Sequence, residues 1–187
     1  DLRAILAYSL REVNESVRIL IAKIYGILVG YGSEDTKDFN SEIKSLLNMT
    51  QKSLEYQHGS VVALSNALFY RILFFKQNGD DVAFAQLLAS DELNESTAYL
   101  ITLLTDPKSL LTLAAIKGLS MIGCSIELTL EEVKDVEVDA TTKMDVDESK
   151  SSKNYVFKTI LQLLKSSQTK QKVREDAAHC LGHLSIG

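Results

Sequence analysis

The 187-residue chain has no tryptophan, one proline, two cysteines, three histidines and nine glycines. Each shortage excludes something. So few breakers leave too little turn chemistry for a β-rich protein. Cys124 and Cys180 are too few to staple a small secreted domain, so a cytosolic or nuclear setting is expected. The longest apolar run, over 68–75, is interrupted by Arg71, and none reaches the ~18 residues of a membrane span. No signal peptide is visible, and the chain opens within helical sequence, so a fragment of something longer is expected. A basic surplus is missing as well. The formal net charge is −5, and residues 127–150 carry nine acids against three bases. The remainder is close to neutral, whereas nucleic-acid binders usually present a basic face.

What the chain does contain is aliphatic. Hydrophobic residues make up 45% and aromatics only 7%, a mixture that suits stacked helices. A four-fold echo runs through it, at 17–26, 58–67, 110–119 and 173–182. Each segment opens on a mostly apolar position (Val17, His58, Leu110, Val173). Ala22, Ala63, Ala115 and Ala178 follow five places on. Tight-packing pairs stand eight and nine places on: Tyr25-Gly26, Asn66-Ala67, Gly118-Leu119 and Leu181-Gly182. Self-similarity of this kind marks a helical solenoid, an architecture that usually binds other proteins. The segments start 41, 52 and 63 residues apart. HEAT and armadillo units run at ~40–47, so the two longer intervals require insertions.

Periodicity places the helices. Residues 2–12 read as a helix with Leu2, Ile5, Leu6 and Leu10 on one side. A second helix runs from Asn14 to about Val29, where Gly30-Tyr31-Gly32 supplies a left-handed cap. A third spans about 37–52, with Phe39, Ile43, Leu46 and Leu47 inward. The helix over about 58–76 is apolar on several faces, as a helix buried on more than one side would be. Asn78-Gly79 breaks it, and a short helix over 82–89 fills out the second interval. A helix capped by Ser90 or Asp91 runs to about Leu104. Asp106-Pro107 then reads as an N-cap followed by proline at the first helical position. The segment 126–153 is acidic and poor in large apolar residues, so disorder is expected there. Helices resume over 154–165 and 170–185.

No constellation points to chemistry. His179 and His183 are spaced to share a helix face, but a zinc site needs three or four ligands. Cys180 belongs with Val173, Ala177, Leu181 and Leu184 on another face, which reads as core cysteine and surface histidine. A Cys–His nucleophile built from His58 and either cysteine would lack a strand-turn-helix elbow or glycine-rich loop. Gly30-Tyr31-Gly32 follows a helix and lacks the third glycine of a phosphate loop. Asn14, Asn48 and Asn94 head chance glycosylation triplets. Thr141, Thr142, Ser149, Ser151 and Ser152 could accept phosphate in or beside the acidic segment, though a solvated insertion is the plainer reading. Arg18 and Arg174 hold the same place in two echoes and read as structural ion-pair positions more readily than as a binding ladder.

The helix Tyr56-Gln57-His58-Gly59-Ser60-Val61-Val62-Ala63-Leu64 resembles the Gln-His-Gly helix of the large HEAT-repeat proteasome adapter and scaffold family. The stretches 109–123 and 173–187 are similar to two later repeats of that family, each ending in an apolar-glycine pair. The three occur in family order over about 17–187, and the insertion at 126–153 has no match. The resemblance implies a binding protein that clasps the 26S proteasome, bridges its regulatory and core particles, and connects with endoplasmic reticulum, endosomes and motor proteins. It carries over no contact residue.

The expectation is therefore an all-α, armadillo-type solenoid of about four HEAT-like hairpins. The units fall over 2–32, 37–77 and 91–125, then, after the acidic insertion at 126–153, over 154–187. It acts as a scaffold and not as an enzyme, with no catalytic, cofactor or metal residues and a protein-binding surface yet to be placed. Partners are proteins, foremost 26S proteasome subunits, with trafficking or motor proteins besides, and neither nucleic acid nor an inserted membrane segment. The setting is cytoplasmic and nuclear, with association to endoplasmic reticulum and endosomes. The alternative is a segment of another HEAT scaffold, a nuclear transport receptor or a phosphatase scaffold subunit.

Overall fold

The computed structural model describes residues 2–33, 35–51, 53–128, 153–167 and 169–184. Among these are nine α-helices and no strand. They are α1 (Leu2–Ser9), α2 (Glu15–Gly32), α3 (Thr36–Leu47), α4 (Leu54–Asn78), α5 (Asp81–Leu88), α6 (Asp91–Thr102), α7 (Ser109–Gly123), α8 (Lys153–Lys165) and α9 (Gln171–His183). The acidic stretch expected to be disordered lies, over 129–152, outside the described residues.

The four echo segments fall in α2, α4, α7 and α9, and these pack in succession: α2 on α4, α4 on α7, α7 on α9. Each is backed by the helix before it in a hairpin, α1 on α2, α3 on α4, α6 on α7 and α8 on α9. The chain is thus an all-α solenoid, a two-layered stepped array. α5 is an extra short helix packed on α4, between the second and third hairpins. α4 explains its all-round apolar character by position, because it has α2 on one flank, α7 on the other and α3 behind. By length and composition α4 could cross a membrane, but 72% of its most apolar window is buried, which makes it the core helix of the stack. Leu64, Leu68 and Ile72 are fully enclosed there, each stabilising the fold by about 1.5–3 kcal/mol.

Short polar side chains start five of the helices. Asn14, Asp35, Ser53, Asp80 and Ser90 each accept a backbone N–H three residues on, satisfying a donor the helix would otherwise strand. Gly79 ends α4 at φ 65°, and its N–H reaches Phe75 O.

Three local expectations are corrected. α1 stops at Ser9, and Leu2 and Ile5 are exposed, leaving Leu10 as the buried anchor. Gly30 and Gly32 lie inside α2, which ends on Ser33 in extended backbone, so neither is a left-handed cap. At Gly30 the absent side chain serves packing: a Cβ there would stand 2.7 Å from Tyr70 Cβ and 2.8 Å from Ala67 O. Finally, α7 begins at Ser109. Asp106 Oδ1 accepts the Lys108 N–H at 2.7 Å, a local turn closed before the helix starts.

Small residues set the spacing of the inner layer. A Cβ on Gly26 would meet Asn66 Cβ at 2.5 Å and Ala63 O at 2.8 Å, so α2 and α4 approach through glycines at i, i+4 against Ala63 and Ala67. Gly59 seats the Leu10 carbonyl, and Gly118 seats the Ser65 side chain. Arg71, buried in α4, donates to Ser33 O at 3.1 Å and Gly30 O at 3.4 Å, and lies against the rings of Phe39 and Phe75. It closes the C-terminal end of α2 from the neighbouring hairpin.

Candidate functional site

A groove of about 430 Å³ runs across the inner helices. Its floor is apolar, built by Ile19 of α2, Val62 of α4, and Leu113 and Met121 of α7. Lys23 and Glu15 stand on the α2 wall, and Lys117, Asp176 and His179 on the α7 and α9 side. The stacking dictates this arrangement, because each inner helix turns its buried stripe to its neighbours and its next stripe to the groove.

The floor also holds polar groups. His58 is 3% exposed and lies within the first turns of α4. Its Nδ1 accepts from Arg18 Nε at 3.0 Å, and Arg18 also donates through Nη1 to Val13 O at 3.1 Å. A guanidinium only donates, so the His58 proton must sit on Nε2. Burial, then the charges of Arg18 and Lys117, push the ring down to about 4, so it is neutral at physiological pH. Among the described residues no acceptor meets Nε2. Further along α4, Asn66 donates through Nδ2 to Val62 O at 2.8 Å, and among the described residues its Oδ1 meets no donor. Ser65 spends its hydroxyl on Val61 O at 2.9 Å. Lys117 Nζ reaches Asp176 Oδ2 at 3.7 Å, a loose pair joining α7 and α9 across the groove wall.

Of the histidines and cysteines singled out in the sequence, His58 and His179 line this groove. Cys180 is buried in the α9 core with Val173, Ala177 and Leu184, and burial raises its thiol to about 12. Cys124 is exposed and donates to Met121 O at 3.1 Å. His58 is bound to Arg18 and pairs with neither cysteine. His179 and His183 are exposed with ring centres 6.4 Å apart, and no group of three or more potential ligands comes together among the described residues. One contact has no signal in the sequence: Ser120 Oγ lies 2.7 Å from His183 Nδ1. No carboxylate orients that ring among the described residues, so the pair ties α7 to α9 and lacks the third member a nucleophile needs. Asn14 is engaged as the α2 cap.

Arg18 and Arg174 are not equivalent. The buried face of α2 is Arg18, Ala22, Tyr25 and Val29, and that of α9 is Val173, Ala177, Cys180 and Leu184. The same spacing thus matches Arg18 to Val173, one residue out of phase with the sequence echo. Ala178 is exposed, and among the described residues nothing lies within 4 Å of a Cβ placed on Gly182.

Comparison with known proteins agrees with this architecture. Residues 5–122 match the family described as "ECM29, ARM-like repeats". Over 191 aligned residues the chain is 35% identical to a Drosophila melanogaster protein named "Proteasome-associated protein ECM29 homolog". That alignment covers 97% of this chain and 10% of the relative, so the chain spans about a tenth of the relative's length. No solved structure matches. The chain belongs to the ECM29 armadillo-like repeat family.

Proposed function

We propose that this member of the ECM29 repeat family is a stretch of a proteasome-associated scaffold that works by binding alone. The whole protein would hold the 26S proteasome and bridge its regulatory and core particles. The observation that carries the reading is the 35% identity, over nearly the whole chain, to a relative named as proteasome-associated. The stacked hairpins support it, because a stepped row of helices offers a long surface whose units move relative to one another only through nearest neighbours. In the cell the protein would occupy cytoplasm and nucleus, with pools on endoplasmic reticulum and endosomes reached through trafficking or motor proteins.

The test is affinity purification of the full-length protein under native conditions. Recovery of regulatory-particle and core-particle subunits together is the expected result. Recovery of nuclear transport cargo or phosphatase subunits without proteasome would transfer the chain to another scaffold. Fractionation of the same cells checks the membrane-associated pools separately.

A further inference from the structure

We propose that the outer flank of the first hairpin is an open stacking seam. It takes a further armadillo-like helical hairpin of the same polypeptide, whose inner helix runs parallel to α2 and against Leu20 and Ile24.

Exposed apolar surface is concentrated at this end of the array. Six of the nine large apolar side chains exposed among the described residues lie on α1 and α2: Leu2, Ile5 and Tyr8, then Val17, Leu20 and Ile24. Scattered single aliphatics are ordinary on a surface, but a cluster on one hairpin marks an interaction face.

The α2–α4 seam shows what the flank is for. Val62 and Asn66 of α4 line the groove, and the next residues round the helix, Ala63 and Ala67, are fully buried against Gly26 and Gly30 of α2. Ile19 and Lys23 of α2 line the same groove, and the next residues round that helix are Leu20 and Ile24, 59% and 40% exposed. Gly26 meets Ala63 and Gly30 meets Ala67, so the two helices run parallel and one residue turns both the same way, by about 100°. Leu20 and Ile24 therefore occupy on α2 the place that Ala63 and Ala67 occupy on α4, the face that receives a preceding helix. α4 is flanked by α2 and α7, and α7 by α4 and α9, whereas among the described residues α2 has an inner helix on one side alone.

The same geometry fixes the occupant. The apolar residues span both layers of the hairpin, so a lone helix laid on α2 would leave those of α1 in water, and a two-helix unit covers both. A second copy of this chain does not reproduce the seam. A two-fold axis in the contact plane sets α2 antiparallel to its mate, or sets it on the mate's α1. The Drosophila relative is about ten times the length of the aligned stretch, so a protein of this family has ample chain to supply the hairpin itself. Leu20 and Ile24 are bulky, so the incoming helix carries glycine or alanine opposite them, as α7 carries Gly123 opposite Leu184. The seam follows from the stacking alone and is independent of the proteasome reading.

Hydroxyl-radical footprinting of the purified full-length protein, read by mass spectrometry, tests this without any substitution. Relative to a peptide digest of the same protein, Tyr8, Leu20 and Ile24 should be as strongly protected as the enclosed Leu64 and Leu68. Reaction of Leu20 and Ile24 near the digest rate would overturn the proposal. So would protection that disappears on dilution, which would place a second copy on the flank, and protection that appears only with added phospholipid vesicles, which would place a membrane there. A full-length Leu20→Cys variant carrying a benzophenone maleimide then identifies what lies opposite. The expected photoproduct joins residue 20 to a segment of the same chain outside the 187 residues; a crosslink between chains counts against the seam. Proteasome recovery is a separate readout, so either proposal can fail while the other stands.

Discussion

The α2–α4 seam and the outer side of α9 were built from the same sequence echo and ended in opposite states. At the seam, Gly26 and Gly30 have no room for a Cβ, because Ala63, Asn66 and Ala67 lie directly against them. On α9, Gly182 meets open space among the described residues and Ala178 is exposed. Identical small residues thus serve close packing where a neighbouring helix presses on them and serve nothing where none does. A repeat template specifies the capacity to stack, and the neighbour decides whether that capacity is used.

The sharpest way to break the comparison is to fill the tight side. Gly26→Val would drive its side chain into the α4 backbone at Ala63 O and Ala67 N, atoms that move only if the helix does. Overpacking against backbone costs about 3 kcal/mol or more. Urea denaturation should show a large fall in midpoint, or loss of the cooperative transition. A midpoint near the wild-type value would mean the seam is looser than described.

The two arginines divide along the same line. Arg18→Met would strand the buried His58 Nδ1 and release two part-buried loop carbonyls to water, costing about 1–3 kcal/mol. Arg174→Met, on the half-buried flank of α9, should shift stability by less than about 0.5 kcal/mol. Equal losses would restore the sequence-level pairing of these residues and remove the one-residue phase shift.

His58 gives the seam a pH dependence on the acid side. Its folded-state value is depressed from 6.5 to about 4, so the unfolded chain takes up the proton first as the pH falls. The stabilising difference is whole above about pH 6.5 and is lost on descending to about pH 4, amounting to about 3 kcal/mol. Carboxylates titrate in the same range, so the informative quantity is the difference between wild type and His58→Gln. That difference should change between pH 7 and 4 and then level off; a flat difference would mean the ring is already accessible to protons in the folded state.

Most of the architecture was legible in the sequence because hydrophobic period survives folding. The aliphatic stripes of 39–47 and 61–72, the breaks at Gly79 and Pro107 and the caps at Asn14 and Ser90 are all local facts, and local facts can be read along a chain. Phase was less legible. The echo aligned Val17 with Val173 by residue type, but burial aligns Arg18 with Val173, because a long arginine bound to three acceptors can occupy a core-facing position that hydropathy assigns to valine. The groove was not legible at all. His58 and Arg18 are 40 residues apart in sequence, and no pattern on either helix announces that one ring nitrogen is occupied and the other open. Sites of this kind come from the register between two stacked helices, which only packing fixes.

The smallest effect tests the open side. Gly182→Ala places a methyl where nothing among the described residues stands within 4 Å, so none of them overlaps it. Alanine restricts the unfolded chain and favours helix, but Gly182 is in the last turn of α9, where the backbone frays and only part of that preference is realised. A gain of about 0.3–0.5 kcal/mol is expected, visible as a small rise in Tm. The sign matters more than the size. Stabilisation in the 187-residue chain says that this face of α9 is free of close packing; repeating the substitution in the full-length protein then asks whether it remains so. A loss there alongside a gain here would show that another surface presses on α9 in the longer protein, and that Gly182 has the same purpose as Gly26 once its neighbour is present.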